Sequence, residues 1–206
     1  MSTIRILIAD DHTIVRIGLT ALLGAEKDFE VVGEAKNGLE AVKSAKALRP
    51  DVIVMDLVMP KKNGIDATAE ILEALPTAKV LVLTSFGTSD GIARALQAGA
   101  AGAIMKTADD GALVTAIRKV MRGERVISPE IRRMLDEDPP VPELSARQRE
   151  ILVAITAGRS NKEIATSLGI RKDSVEDYLR TLFSKLGAAN RTEAVAIALR
   201  KHLLKI

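Results

Sequence analysis

The chain has 206 residues, of which 47% are hydrophobic and 28% are charged, a balance typical of a globular protein with one large domain or two small ones. It contains no cysteine, which excludes disulfides, thiol catalysis and zinc sites built from thiolates, and this fits a reducing compartment. The N-terminal apolar stretch is too short for a signal peptide, and no apolar run approaches the length of a membrane span. We therefore expect a soluble, cytoplasmic protein.

Charge is distributed unevenly along the chain. Residues 142–206 contain 12 Lys+Arg and 7 Asp+Glu, a net charge of +5, whereas residues 1–141 contain 18 and 20, a net charge of −2. A basic C-terminal part indicates either a nucleic-acid-binding module or an ordinary solvated surface. Charge alone favours the second interpretation.

Residues 1–123 alternate short apolar strands with amphipathic helices. The predicted strands are Ile4–Ala9, Val31–Gly33, Val52–Met55, Lys79–Leu83 and Gly102–Met105. The predicted helices are 12–25, Gly38–Leu48, Ile65–Leu75, Ser89–Ala98 and a helix from Asp109-Asp110 to Met121. Five successive βα units predict an α/β fold, with a five-stranded, doubly wound parallel sheet and right-handed crossovers.

Residues 124–143 differ from the segments on either side. Ser128–Leu135 is predicted to form one short helix, with Ser128 as its N-cap and Pro129 at its first position. The following segment, Asp136–Glu143, has three prolines and four acidic residues, which is typical of a stiff, solvated linker. We predict a domain boundary there.

From Leu144 onward the pattern is entirely helical. Capping boxes at Ser145/Gln148 and Ser160/Glu163 begin two helices, which end at Ala157 and Leu168. Two further helices are predicted, Lys172–Leu186 and one from Asn190 to Leu203. A short helix, a turn with Gly169 and a longer helix indicate a small all-α helix-turn-helix domain.

Four of the predicted strands end in polar residues, namely Asp10-Asp11, Asp56, Thr84 and Lys106. Because ligands bind beyond the carboxyl ends of parallel strands, these side chains are expected to form a pocket. The three carboxylates would repel one another unless a cation lay between them, and hard oxygen ligands suit Mg²⁺. With that charge offset, one carboxylate can act as a nucleophile toward phosphorus. A strand-terminating Asp56 paired with Lys106 is the simpler alternative, and the two interpretations are compatible.

The strand-end motifs together resemble the receiver domain of two-component response regulators. They are Ala9-Asp10-Asp11-His12, Met55-Asp56-Leu57-x-Met59-Pro60, Thr84-Ser85 and Lys106, in the expected order over about residues 3–122. The resemblance implies the flavodoxin-like topology.

The same resemblance implies a role for each pocket residue. Asp56 would accept a phosphoryl group from a histidine kinase. Asp11 would ligate Mg²⁺ directly with support from Asp10, and Asp56 and the Val58 backbone carbonyl would complete the metal site. Lys106 and Thr84 would bind the phosphoryl group.

One position departs from the pattern of such receivers. They usually have an aromatic residue three positions before the strand-5 lysine, and this chain has Ala103. Without that side chain, we expect the loop 86–91 to move on activation, with Phe86 replacing part of the lost packing.

The C-terminal part resembles the LuxR-type helix-turn-helix domain. The motifs are Leu144-Ser145-x-Arg147-x-x-Glu150-Ile151-Leu152, Gly158-x-Ser160-Asn161-Lys162-Glu163-Ile164-Ala165 and Lys185-Leu186-Gly187 followed by Asn190–Val195. Combined with the receiver motifs, this resemblance places the chain in the NarL/FixJ class of response regulators. It implies that Lys172–Leu186 enters the major groove of DNA.

Candidate DNA-contacting residues lie on and around that helix. They are Lys162, Arg171, Lys172, Ser174, Glu176, Asp177, Arg180, Lys185 and Arg191. A basic residue is usual where Glu176 stands, and its carboxylate weakens phosphate binding or reads a cytosine amino group. Alternatively, Glu176 pairs with Arg180 four residues later.

The main prediction is a phosphorylation-activated transcriptional regulator that binds a two-fold DNA site as a dimer. Its predicted parts are a receiver at 1–123, a linker with a short helix at 124–143 and the helix-turn-helix domain at 144–206. An alternative is a regulator whose altered reading helix binds a protein instead of DNA. A phosphohydrolase is not expected, because Val58 stands where such enzymes have a second acid, and only slow self-phosphorylation and self-dephosphorylation are expected.

Overall fold

The computed structural model describes residues 3–85, 88–201 and 203–204, without the side chain of Asp110. The chain divides into two compact units, Met1–Pro139 and Pro140–Ile206. The strands of the first unit are β1 (Ile4–Ala9), β2 (Phe29–Ala35), β3 (Val52–Met55), β4 (Lys79–Thr84), β5 (Gly102–Met105) and β6 (Val126–Ile127). Its helices are α1 (Thr13–Gly24), α2 (Gly38–Leu48), α3 (Gly64–Ala74), α4 (Ser89–Gln97), α5 (Asp110–Met121) and α6 (Pro129–Glu137).

The first unit is a doubly wound parallel sheet, as predicted. The strand order is β2-β1-β3-β4-β5-β6, and every pairing is parallel. One apolar cluster lies between the sheet and α2, α3, α4 and α6, and a second lies between the sheet and α1 and α5. Because the strands are covered on both faces, they consist of nearly continuous apolar residues.

The sheet has six strands, so the prediction of five was wrong by one. Val126 and Ile127 pair with Gly102 and Ala103 of β5. A Cβ on Gly102 would lie 2.3 Å from the Val126 carbonyl oxygen, so the glycine allows this approach. Two residues are too few to show a strand period in the sequence.

Helix α6 is packed onto this sheet and is part of the first unit. Ile131 is fully buried, and Met134 and Leu135 pack against the same cluster. Positions i, i+3 and i+4 form one face of a helix, and this face contacts β5 and α4. The short helix predicted at Ser128–Leu135 corresponds to α6, and its apolar stripe packs it onto the first unit.

The second unit is a cluster of four helices among the described residues. They are α7 (Ala146–Thr156), α8 (Asn161–Leu168), α9 (Lys172–Leu186) and α10 (Arg191–Arg200). The capping boxes of Ser145 with Gln148 and of Ser160 with Glu163 are both formed, which confirms those predictions. Helix α10 ends at Arg200, three residues before the predicted Leu203.

In the part of the chain that the structure describes, no helix combines the length and the apolar character that crossing a bilayer requires.

Candidate functional site

The polar ends of β1, β3, β4 and β5 meet at one edge of the sheet. The backbone N–H of Asp56 donates to the Ala9 carbonyl at 2.8 Å, and that of Lys106 donates to the Thr84 carbonyl at 2.9 Å. These ladder contacts fix the register of the strand ends. They surround a cavity of about 220 Å³ lined by Asp11, His12, Val15, Asp56, Val58, Thr84, Ser85 and Lys106.

Lys106 bridges two buried carboxylates in this cavity. Its Nζ lies 2.7 Å from Asp56 Oδ2 and 2.5 Å from Asp10 Oδ2. Burial disfavours the ammonium, but the hydrogen bonds and charges of Asp10 and Asp56 outweigh it, so the pKa of Lys106 is raised. Lys106 is therefore a fixed cation in the wall of the cavity.

The carboxyl group of Asp56 is held in an environment that opposes its charge. Burial raises the pKa of Asp56, and the hydrogen bond and charge of Lys106 offset only part of this effect. Oδ2 is committed to Lys106, whereas Oδ1 accepts from the Val58 N–H at 3.4 Å. A bond of that length is weak. Oδ1 is therefore the oxygen that is more readily available for a new bond.

Thr84 ends β4 with a hydroxyl that lines the cavity. Its side chain is 0% exposed, and Oγ1 has no hydrogen-bond partner among the described residues. Leaving a buried hydroxyl unpaired costs about 1–3 kcal/mol, so its presence here requires an explanation. An anion bound in the pocket would supply the missing acceptor.

Four neighbouring side chains at this edge of the sheet could hold a cation. One ligand atom from each of Asp10, Asp11, His12 and Asp56 lies within 4.8 Å of the others. His12 Nδ1 is 2.8 Å from Asp11 Oδ1 and 3.3 Å from Asp10 Oδ1. Carboxylate oxygens are the donors that Mg²⁺ prefers, and the set fits that ion. His12 was not among the predicted site residues, although its position directly after the acidic pair was a usable signal.

The loop from Asp56 to α3 is shaped by one glycine. A Cβ on Gly64 would lie 2.0 Å from the Asp56 carbonyl oxygen, and the Gly64 N–H donates to the Leu57 carbonyl at 2.9 Å. Only glycine allows the start of α3 to approach this closely. Val58, the predicted backbone ligand, lies in this loop with an exposed side chain.

Arg16 of α1 ties the turn that carries the acidic pair to β2. One guanidinium N–H donates to the Asp10 carbonyl at 2.9 Å, and Nε donates to Glu34 Oε2 at 3.1 Å. The Thr20 hydroxyl donates to the other Glu34 oxygen at 3.0 Å. Arg16 thus holds the backbone from which the Asp10 and Asp11 side chains project.

We expect Arg16→Met to weaken Mg²⁺ binding about tenfold, because losing a supporting contact to a ligand typically costs 10–100-fold in metal affinity. Isothermal titration calorimetry with Mg²⁺ measures this change. Arg5→Met is the matched control, since Arg5 donates to the Arg49 carbonyl at the opposite end of β1. Equal affinities of the two variants would contradict a positioning role for Arg16.

In the second unit, the exposed face of α9 carries alternating charges. Lys172 Nζ lies 3.6 Å from Glu176 Oε1, and Arg180 lies 3.2 Å from Asp177 Oδ1. The predicted pairing of Glu176 with Arg180 was therefore wrong. Asp177 is three residues before Arg180 and on the same helix face, so it takes the arginine instead.

The other candidate contacts fall into two groups. Lys162 and Arg171 are exposed, and Ser174 is half-buried near the start of α9. Lys185 donates to the Glu143 carbonyl at 2.7 Å and to Gln148 Oε1 at 3.1 Å, and Arg191 donates to the Arg159 carbonyl. Lys185 and Arg191 thus hold the helices together. Phe86, expected to fill the space left by the missing aromatic, lies outside the described residues.

Comparisons with known proteins match both units. The family model of the response regulator receiver domain matches residues 6–118, and that of bacterial regulatory proteins of the luxR family matches residues 142–198. The chain is similar to response regulator protein VraR of Staphylococcus aureus, with 40% identity over 208 residues that cover 98% of this chain and 100% of VraR.

Two solved structures support the same assignment. Response regulator ChrA of a heme-sensing two-component system is 35% identical, with a TM-score of 0.59 and coverage of 99% of this chain and 100% of ChrA. A LuxR-family response regulator from Aurantimonas sp. SI85-9A1 is 38% identical, with a TM-score of 0.63 and coverage of 66% of this chain and 97% of the other. The chain therefore belongs to the response regulators, with a receiver domain in its first unit and a LuxR-family regulatory domain in its second.

Proposed function

We propose that this protein is a transcriptional regulator that is activated when Asp56 accepts a phosphoryl group from a sensor histidine kinase, and that it then binds double-stranded DNA as a dimer. The observation that carries the proposal is the composition of the sheet-edge cavity. The cavity brings together the buried carboxylate of Asp56, whose Oδ1 accepts only a weak hydrogen bond, the ammonium of Lys106, and the Thr84 hydroxyl, which has no partner among the described residues.

The transfer step follows from the contacts of Asp56. Oδ1 attacks the phosphorus of a phosphohistidine, and an O–P bond forms as the P–N bond breaks. The electron pair leaves with the imidazole nitrogen, which takes a proton from solvent. Lys106, at 2.7 Å from the other carboxylate oxygen, and Thr84 would donate hydrogen bonds to the phosphoryl oxygens.

Asp10, Asp11, Asp56 and the Val58 carbonyl would hold Mg²⁺ at the sheet edge. The ion would supply positive charge against the carboxylates and the incoming phosphoryl group. Lys106 alone offers one positive charge to Asp10 and Asp56 together, so the pocket retains a negative excess when both are ionised. This excess is what favours binding of a cation.

The same pocket is poorly built for turnover of external substrates. The residue two positions after Asp56 is Val58, which has no proton to give to a leaving group. We infer that the protein is not an enzyme in the ordinary sense and that self-phosphorylation by small donors and self-dephosphorylation are slow. These steps take place in the cytoplasm, where a kinase domain and DNA are both accessible.

The DNA-binding surface is proposed to be the exposed side of α8 and α9. Lys162, Arg171, Lys172 and Arg180 present the positive charges, and Ser174, Glu176 and Asp177 lie between them. Because each acid on α9 is already matched by a cation, the acids do not make this face strongly negative. Lys172 and Arg180 can exchange these partners for phosphates, which adds to the salt dependence of binding.

Asp56→Asn is expected to abolish activation. Selection of bound sequences from a random DNA pool tests this, with and without Mg²⁺ and the phosphoryl mimic beryllofluoride. The unsubstituted chain should enrich a two-fold site at least tenfold more with the mimic, because paired half-sites match a protein dimer. The Asp56→Asn variant should give the low enrichment of the unactivated chain in both conditions.

The outcomes separate the parts of the proposal. Equal enrichment in both conditions would retain DNA binding and reject the phosphorylation switch. Absence of enrichment in every condition would reject the DNA function. Exposure to acetyl phosphate, followed by electrophoresis that retards phosphoproteins, shows independently whether Asp56 is modified.

A further inference from the structure

The first turn of α4 is joined to the end of α6 by a partly buried hydrogen bond. The Ser89 hydroxyl donates to Asp138 Oδ2 at 2.8 Å, across 49 positions of the sequence. Ser89 is 1% exposed, and its neighbour Asp90 is 4% exposed. Asp138 is the C-cap of α6 and directly precedes the prolines that connect the two units. This contact therefore fixes the last residue before that connection.

The bond holds two carboxylates near each other. Asp90 Oδ2 lies 3.5 Å from the same Ser89 oxygen that donates to Asp138. A hydroxyl has one proton, and the shorter distance assigns it to Asp138. The Ser89 hydroxyl thus links Asp138 directly to the first turn of α4.

Helix α6 also rests on the strand that ends in Lys106. The Ser128 N–H donates to the Ala103 carbonyl at 3.0 Å, and fully buried Ile131 shares a core cluster with Ala103 of β5 and Ile92 of α4. The methyl group of Ala103 leaves room for this packing. Helix α6 thus contacts two elements adjacent in sequence to the phosphoryl-binding groups, since β5 directly precedes Lys106 and α4 begins five residues after Thr84.

We propose that phosphorylation of Asp56 breaks the Ser89–Asp138 hydrogen bond. The C-terminal end of α6, next to the segment that connects the two units, then becomes free to unfold locally. This inference rests on the proposed phosphorylation of Asp56 and names how that event is transmitted. Movement of Thr84 toward a phosphoryl oxygen would shift the start of α4. A hydrogen bond of 2.8 Å weakens steeply when it lengthens by about 1 Å, so a small shift is sufficient.

Hydrogen exchange of the α6 backbone in the full chain tests this proposal. The amides to follow are those bonded within the helix, from Arg132 to Asp138. With Mg²⁺ and beryllofluoride, the unsubstituted chain should exchange these amides at least about tenfold faster, because the helix end is freed to open locally. Ser89→Ala removes the donor of this bond and Asp138→Ala removes its acceptor, so both variants should exchange these amides fast in both conditions.

Asp136→Ala is the matched control, since it makes the same substitution at an exposed position of α6. It should behave like the unsubstituted chain. Phosphorylation of Ser89→Ala by acetyl phosphate should stay within about twofold of normal, because no pocket group is changed. Normal phosphorylation with unchanged α6 exchange would overturn this inference alone. Failure of the unsubstituted chain to be phosphorylated would overturn the proposed function, and this inference with it.

Discussion

Replacing Gly64 with alanine is expected to lower the stability of the receiver and to slow phosphorylation of Asp56 sharply. The new Cβ would lie 2.0 Å from the Asp56 carbonyl oxygen and 2.9 Å from both the Asp56 carbonyl carbon and Leu57 Cα. All three are backbone atoms, so no side-chain rotation can relieve the contact. Forcing an extra methyl group into a tight site costs about 1–3 kcal/mol of unfolding free energy, and more where backbone must move.

Gly64→Ala should change the rate of Asp56 phosphorylation more strongly than the free energy of unfolding. The contact acts on the backbone of the phosphoacceptor itself, and a misplacement of about 1 Å can cost about a hundredfold in rate. Urea unfolding followed by circular dichroism gives the free energy, and a time course with acetyl phosphate gives the rate.

Gly18→Ala is the control for this experiment. Gly18 lies within α1, and no heavy atom would come within 4 Å of its Cβ. Alanine should therefore raise the stability by about 0.5–1 kcal/mol through the ordinary helix preference. A Gly64→Ala variant with normal stability and normal phosphorylation would show that the β3–α3 loop adjusts freely.

The geometry of the pocket could be predicted from the sequence because of the parallel topology. Five strands were visible as short apolar runs, and four of these runs ended in a polar residue. Parallel strands place these ends at one edge, so Asp10, Asp56, Thr84 and Lys106 had to meet. The distances of 2.5 and 2.7 Å from Lys106 to Asp10 and Asp56 are consistent with this reasoning.

The helix at Ser128–Leu135 was predicted, but the strand before it and its packing on the sheet were missed because local composition was misleading. The strand Val126–Ile127 has two residues, and its pairing depends on the close approach that Gly102 permits. The apolar stripe of α6 is diluted by arginines and acids on its other faces. The burial of α6 could be recognised only from the three-dimensional structure, in which the face of β5 next to α4 is covered by this helix.

Side-chain partners in the second unit were predicted least well. Spacing alone gave Glu176 and Arg180 as a pair, yet Lys172 and Asp177 were equally close competitors on the same face. Lys185 appeared to be a free cation until Glu143 and Gln148, far away in sequence, were placed beside it. Such choices depend on three-dimensional neighbours that periodicity does not identify.

Thr84→Val is expected to stabilise the unphosphorylated protein and to reduce its response to phosphorylation of Asp56. Valine has the shape of threonine without the hydroxyl, and in the described structure that hydroxyl has no partner. Removing a buried, unpaired polar group should raise the unfolding free energy by about 1 kcal/mol. Phosphorylation itself should continue, because Asp56 and Lys106 are unchanged.

The loss of the Thr84 hydroxyl should weaken the response of the protein to phosphorylation. A hydrogen bond to a charged group contributes about 1.5–3 kcal/mol, which corresponds to about a 10–100-fold change in an equilibrium constant. The beryllofluoride-dependent gain in dimerisation, followed by sedimentation velocity, should therefore fall by at least about tenfold. Thr84→Ser keeps the hydroxyl and should retain most of the gain, which separates the hydrogen bond from the packing of the methyl group. A valine variant that dimerises normally would show that the Thr84 hydroxyl is an unpaired buried group with no role in the switch.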